Sequence, residues 1–275
     1  MSKTNYTIIA DSCGDLSSHH LTNKRINFVT VPITLTMDEE NILDAEGLDT
    51  KTVVQKMRAA KKLYSACPSP EDFMQHMREN DNIIIVTLSS KLSGTHGSAQ
   101  IACEQIKAEY PDKKIFLLDT LSASAGVAHI LFRLAELIED ESLCFDAIAG
   151  KISEIRDKTR VRFLLQDFSN LVKTGRIKKM VGAILGITPV KLICGDDGQG
   201  EIKKFGAALG TKKGIQKLAG TVDTDTVTIT HCHNETEATL LRTILEKAGI
   251  TKIKTILMRG CATFYANDKG IVIAY

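Results

Sequence analysis

The sequence predicts an α/β protein of two domains, an N-terminal mostly parallel α/β/α sheet and a C-terminal mixed α+β domain. Three observations carry this. The 275 residues suit about two domains and are ample for a large core. In the first half, short apolar runs alternate with helical patterns at the spacing of parallel crossover units. After about Arg160 the pattern changes to shorter, mixed elements, which puts the division near Lys158, into residues 1–158 and 159–275.

The elements follow in order. Tyr6–Ala10 is a buried strand ending on Asp11-Ser12. Phe28–Leu35 reads as a second strand, at an edge or bulged because of Pro32. Asp49–Lys62 alternates as a helix with Asp49 or Thr50 at its N-cap. Ser69-Pro70-Glu71-Asp72 starts another, with serine at the cap and proline in the first turn. Strand 82–88, helix 97–110, strand 114–119, helix 124–139 and helix 145–156 complete the first half. In the second half, 163–172 has a helical pattern and 180–187 is an apolar stretch of small residues. Strand 188–194, a turn at Gly195-Asp196-Asp197-Gly198 and a return strand 201–205 make a hairpin. Helix 212–219, strand 226–230, helix 235–248 and strand 252–258 follow.

Composition excludes several classes. The net charge is +2, aromatic content is 5% and tryptophan is absent, so neither a phosphate-binding charge excess nor a base-stacking platform is present. No apolar run is long enough to cross a bilayer, and the opening MSKTNYTIIADS is too short and polar for a signal peptide. The seven cysteines are widely spaced without a C-x-x-C pair, as expected of reduced thiols in a cytoplasmic protein.

Chemistry concentrates at strand ends. Asp11-Ser12, Ser89-Ser90 and Asp119-Thr120 lie beyond the carboxyl ends of predicted strands, where open α/β sheets bind ligands. The richest segment runs from Thr87 to Ser98 and holds Thr87, Ser89, Ser90, Ser93, Thr95 and Ser98 around Gly94 and Gly97. A helix N-terminus ringed by hydroxyls suits a phosphate or a carboxylate; hydroxyls that merely cap the helix are the plainer alternative. The loop has neither a Walker A ending nor a G-x-G-x-x-G pattern. One reading of Ser93-Gly94-Thr95 is therefore an enzyme acting on a small phosphorylated substrate. Tyr64–Pro70 is a second hydroxyl cluster whose composition reads as a turn before a helix. His231-Cys232-His233 offers metal-ligand types, but strand alternation would put 231 and 233 on one face without a third ligand, so a polar strand end is favoured. No catalytic triad or carboxylate pair stands out.

Taken together, the segments resemble the DegV family of bacterial lipid-binding proteins. Asp11-Ser12-Cys13-Gly14-Asp15-Leu16 is similar to the family's opening Asp-Ser-x-x-Asp-Leu, and Val31-Pro32-Ile33 to its next strand. Ser65-Ala66-Cys67-Pro68-Ser69-Pro70 stands where the family has Thr-Ser-Gln-Pro-Ser-Pro. The segment Leu88 to Thr95, followed by Ser98-Ala99, resembles its most specific motif, and Asp119-Thr120 its Asp-Ser. Leu171 to Ile177 resembles a Leu-x-x-x-Gly-Arg-Ile element, and Leu185 to Val190 with Gly198 a strand and turn. The resemblance spans almost the whole chain, and the joint order is more specific than any one piece.

The resemblance implies two α/β domains with one long-chain fatty acid in a tunnel between them, and no catalysis, cofactor or metal. It implies that Ser65 and Ser93 hold the carboxylate, with Gly94 and Thr95 in the same loop and Arg176 at the rim or bracing the second domain. Some members present the acid to a fatty-acid kinase. Val181, Ala183, Ile184, Leu185 and Ile187 are candidates for the tail's wall or for plain core. The chain departs from the family pattern at three places. Ala66 replaces a serine, the stretch Ala207-Ala208-Leu209-Gly210-Thr211-Lys212 lacks an arginine, and Gly260 to Gly270 lacks the His-x-Gly-Pro-Gly segment. The last two bear on kinase partnership. Thr263 falls nearest the histidine position.

Overall fold

The computed structural model describes residues 5–177, 190–196 and 198–275. Strands β1 (Tyr6–Asp11), β2 (Ile26–Val31), β6 (Asn82–Thr87) and β7 (Lys114–Asp119) form a four-stranded parallel sheet in the order β2-β1-β6-β7. Its central strands are covered on both faces, so they read as unbroken apolar runs. Ile9, Ile83 and Ile85 face α2 (Pro70–Met74) and α3 (Thr95–Glu109), through Phe73, Ala99 and Ile106. Ile8, Ile84 and Val86 join the larger core on the other face, with α4 (Ala125–Glu139) and α5 (Phe145–Lys158).

Six strands make the second sheet: β8 (Val161–Leu164), β9 (Val190–Asp196), β10 (Ile202–Leu209), β11 (Thr226–His231), β12 (Lys252–Leu257) and β13 (Ile271–Ala274). The order is β10-β9-β8-β13-β11-β12, antiparallel except for β11 with β12. A small antiparallel sheet, β4-β3-β5, is built from β3 (Thr34–Met37), β4 (Glu40–Leu43) and β5 (Leu63–Ala66). The remaining α-helices among the described residues are α1 (Thr50–Ala59), α6 (Ser169–Lys173), α7 (Thr211–Ala219), α8 (Glu235–Lys247) and α9 (Gly260–Ala266).

Helix α4 lies between the two larger sheets, packing on β6 on one side and on β11 and β13 on the other. Its first seven residues are all buried, as a helix covered all round requires. Two polar ties fix it. Ser124 Oγ is 2.7 Å from Thr230 Oγ1 and donates to Asp15 at 2.6 Å, and His129 Nδ1 is 3.2 Å from Thr228 Oγ1.

Several expectations need correction. The run 28–35 is two strands in different sheets, because Pro32 cannot donate to a ladder and the chain leaves there. The helix from Asp49 ends at Ala59, and residues 63–66, of which Tyr64–Ala66 fell within the expected turn, pair with β3. The 163–172 pattern is a central strand, a loop and the short α6. A four-residue apolar run cannot be told from a helical turn by periodicity alone. Strand β11 stops at His231, and His233 adopts φ 45°, so alternation does not extend through 231–233. Helix α9 and strand β13 were not foreseen. The expected apolar stretch 180–187, with Val181, Ala183, Ile184, Leu185 and Ile187, lies outside the described residues, as do Thr188, Pro189 and Asp197.

Candidate functional site

A cavity lies between the two larger sheets, with about 910 Å³ of empty space, part of it open to solvent. Leu88 enters it from the end of β6, Val161 and Phe163 from β8, Leu171 from α6, Ile202 from β10 and Val272 from β13. The wall is thus mainly aliphatic and drawn from both sheets.

Ser93, Ser65 and Arg176 all line this cavity. Ser93 Oγ accepts the Thr95 N–H at 3.3 Å and lies 2.9 Å from Thr95 Oγ1. Thr95 is fully buried and Gly94, the exposed N-cap of α3, packs near Cys67; neither is part of the cavity wall. Of the three residues expected in this loop, Ser93 lines the described cavity and Thr95 backs it. Two other hydroxyls of the loop are engaged elsewhere. Thr87 Oγ1 is 3.0 Å from His96 Nδ1, and Ser89 Oγ donates to the Gly200 carbonyl at 3.0 Å.

Arg176 reaches the cavity through the end of α6. Gly175 adopts φ 75°, its N–H donates to the Val172 carbonyl, and the Arg176 N–H donates to the Leu171 carbonyl. This 6→1 and 5→2 pair is a Schellman ending, and it explains the glycine before the arginine. The guanidinium donates to the Thr174 carbonyl and sits 5.6 Å from the centroid of the Tyr265 ring.

Tyr265 is the site residue that sequence reasoning missed. Its phenol lies 2.6 Å from Ser65 Oγ, and both groups line the cavity. Burial pushes the phenol up to about 12, so it stays a neutral donor at physiological pH. Cys261, Ala262, Tyr265 and Ala266 share one helical face of α9 toward the cavity, a signal readable only once 260–266 is known to be a helix. Thr263 lies off that face, fully buried and outside the cavity wall, so Tyr265 faces the cavity in its place.

Three buried acids frame the site. Asp11 accepts the Leu88 N–H at 2.7 Å and the Cys13 N–H at 3.0 Å, which pins the turn after β1 to the strand that feeds the Ser93 loop. Asp15 accepts from Ser124 Oγ and from the Arg259 N–H. Asp44 accepts the Gly260 and Cys261 N–H groups at 2.8 and 2.7 Å, at the start of α9. Burial raises Asp11 and Asp15 to about 7, against the pull of these donors. Among the described residues, no helix is long and apolar enough to cross a membrane.

Comparison with known proteins agrees with this architecture. Residues 5–265 match the family model described as uncharacterised protein, DegV family. A DegV domain-containing protein of Streptococcus pyogenes serotype M18 is 32% identical over 280 residues, covering 98% of this chain and 99% of the relative. The crystal structure of the Streptococcus pneumoniae fatty acid kinase B3 protein, loaded with linoleic acid, superposes with a TM-score of 0.91 at 30% identity over 99% of each chain. A DegV family protein from Eubacterium eligens loaded with heptadecanoic acid gives a TM-score of 0.91 at 27% identity over 98% of each chain. With the family match spanning nearly its whole length, this chain belongs to the DegV family.

Proposed function

We propose that this protein binds one long-chain fatty acid in the cavity between its two domains, divided near Lys158, and carries out no chemistry on it. The single observation that carries this is an aliphatic cavity with a polar pole of Ser65, Tyr265 and Arg176 and with Ser93 on its wall. A carboxylate leaving water needs hydrogen bonds, and hydroxyls beside a guanidinium supply them. The acyl chain provides the driving force: roughly fifteen methylenes at about 0.8 kcal/mol each give on the order of 12 kcal/mol before immobilisation is subtracted. The head group therefore chiefly fixes orientation. Relatives crystallised with linoleic and heptadecanoic acid support the reading, and the pneumococcal relative's name supports a fatty-acid kinase as partner. A phosphorylated metabolite fits less well, because Thr87, Ser89 and Ser93 already meet His96, the Gly200 carbonyl and Thr95, and most of the cavity wall is apolar while its charged members include the carboxylates of Asp196 and Glu201.

The test is native mass spectrometry of protein purified from a bacterial host, with thermal shifts on adding palmitate or oleate. A co-purified acyl ligand and a raised melting temperature are expected. Protein that never carries an acyl ligand and does not respond to either acid would overturn the proposal. Replacing Ser93 with alanine should weaken binding by about 1–3 kcal/mol.

A further inference from the structure

The fatty-acid reading makes no use of the His231-Cys232-His233 segment. In the structure His231 turns away: its Nδ1 accepts the Asn234 N–H within the turn that follows β11. Cys232 and His233 instead meet Asp268, from the loop between α9 and β13. The Cys232 Sγ, a His233 ring nitrogen and an Asp268 carboxylate oxygen all lie within 4.8 Å of one another. The Sγ is 3.7 Å from His233 Nδ1, which is 3.8 Å from Asp268 Oδ1.

We propose that Cys232, His233 and Asp268 form a binding site for a zinc-type divalent cation. Metal–ligand bonds of about 2.0–2.3 Å in a tetrahedron set ligand atoms about 3.3–3.7 Å apart, so small side-chain adjustments close the triangle. Thiolate, imidazole and carboxylate together select zinc or its congeners over magnesium or calcium, which prefer oxygen alone. Three protein ligands leave a fourth position for water.

The surroundings hold the three groups in place. His233 Nε2 lies 2.9 Å from Thr50 Oγ1; with that nitrogen donating, Nδ1 presents its lone pair to the cation. Asp268 Oδ2 accepts from Arg58 at 2.7 Å, which leaves Oδ1 turned to the histidine. The two loops are bonded to each other, since Cys232 N donates to the Gly270 carbonyl and Lys269 N to the Cys232 carbonyl, both at 2.9 Å. His233 is held at φ 45°, a conformation that a non-glycine residue keeps only when its neighbours impose it. The Lys269 ammonium donates to the His233 carbonyl, so two cationic side chains, Arg58 and Lys269, stand beside the site. On binding, the Cys232 S–H proton passes to solvent and an S–metal bond replaces it. The site lies just beyond the helix that carries Tyr265, so a bound cation braces the C-terminal end of that cavity wall.

Cobalt(II), added to the reduced full-length protein without fatty acid, tests the site. One equivalent should bind with a thiolate-to-cobalt charge-transfer band and tetrahedral d–d bands, both removed by zinc. Asp268→Asn, at a partly exposed position, and His233→Gln should each weaken cobalt binding at least about tenfold with far-UV circular dichroism unchanged. Cys232→Ser should remove the charge-transfer band. A double variant at the exposed thiols, Cys67→Ser with Cys144→Ser, should keep it. Absence of the band at excess cobalt, or a band that survives Asp268→Asn and disappears with the exposed thiols, overturns the site. Neither result bears on fatty-acid binding.

Discussion

Tyr265 and Ser65 come from opposite ends of the chain and share one short hydrogen bond at the polar pole of the cavity. Replacing Tyr265 by phenylalanine keeps the ring under Arg176 but removes the hydroxyl and leaves Ser65 without this partner. Fatty-acid affinity should fall roughly five- to hundredfold in a displacement titration with a fluorescent acyl probe. Unchanged affinity would remove the phenol from the head-group site. At this scale the sequence was partly legible. Ser65, Ser93 and Arg176 were singled out by the resemblance of their segments to a family pattern, and all three line the cavity, although composition around Ser65 alone read as a turn. Gly94 and Thr95 belong to the same motif, yet the turn into α3 directs one to the surface and buries the other. Tyr265 had no motif around it, since its role depends on a strand 200 residues earlier in the chain.

Helix endings and helix burial decide how those side chains are delivered. Gly175 has open space where a Cβ would stand, so Gly175→Ala costs only the left-handed backbone, about 1–2 kcal/mol. An unfolding free energy in urea lowered by that amount, with weakened acyl binding through Arg176, is expected; an unchanged value would show that the Schellman ending is dispensable. Helix α4 carries His129 between the sheets, where burial pushes the imidazole down to about 4 from its ordinary 6.5. The unfolded chain takes up this proton near pH 6.5 and the folded chain only near 4. The stability that neutral His129 contributes is therefore full above 6.5 and is lost as pH falls toward 4, about 3 kcal/mol in all. Between pH 7 and pH 5 wild type should lose about 2 kcal/mol relative to His129→Gln in urea unfolding. A constant difference between the two proteins across that range would refute the assignment. The strands flanking these helices were read well where they were long and apolar. Phe163 and Leu164, the second half of β8, were read into a helix because so short a run matches both periods, and only pairing to β9 and β13 settles them as strand.

Across the whole molecule, the small sheet and the C-terminal helix are joined by one buried carboxylate. Asp44 follows β4 and accepts two N–H groups at the start of α9, while Arg259 donates to the Asp44 carbonyl. Asp44→Ala leaves those N–H groups buried without their acceptor and removes the carboxylate 3.9 Å from the Arg259 guanidinium, which keeps its bond to the main-chain carbonyl. It should cost about 3–5 kcal/mol, read as a lower urea midpoint, and loosen the Tyr265 wall of the cavity. A midpoint within experimental error of wild type would show that the Asp44 carboxylate is not what holds the start of α9.

The sequence by itself determined the α/β class, the parallel order of crossover units in the first half, the change of pattern near Lys158 and the hydroxyl-rich strand end. All of these follow from short-range periodicity, turn chemistry and composition, which neighbouring residues suffice to specify. Tertiary structure alone decided that Ser65 pairs with Tyr265, that Ser93 but not Thr95 lines the cavity, and that Asp268 joins Cys232 and His233. Those are contacts between residues up to 200 positions apart. They arise only when sheets pack across a helix, and no local period encodes which side chains then meet.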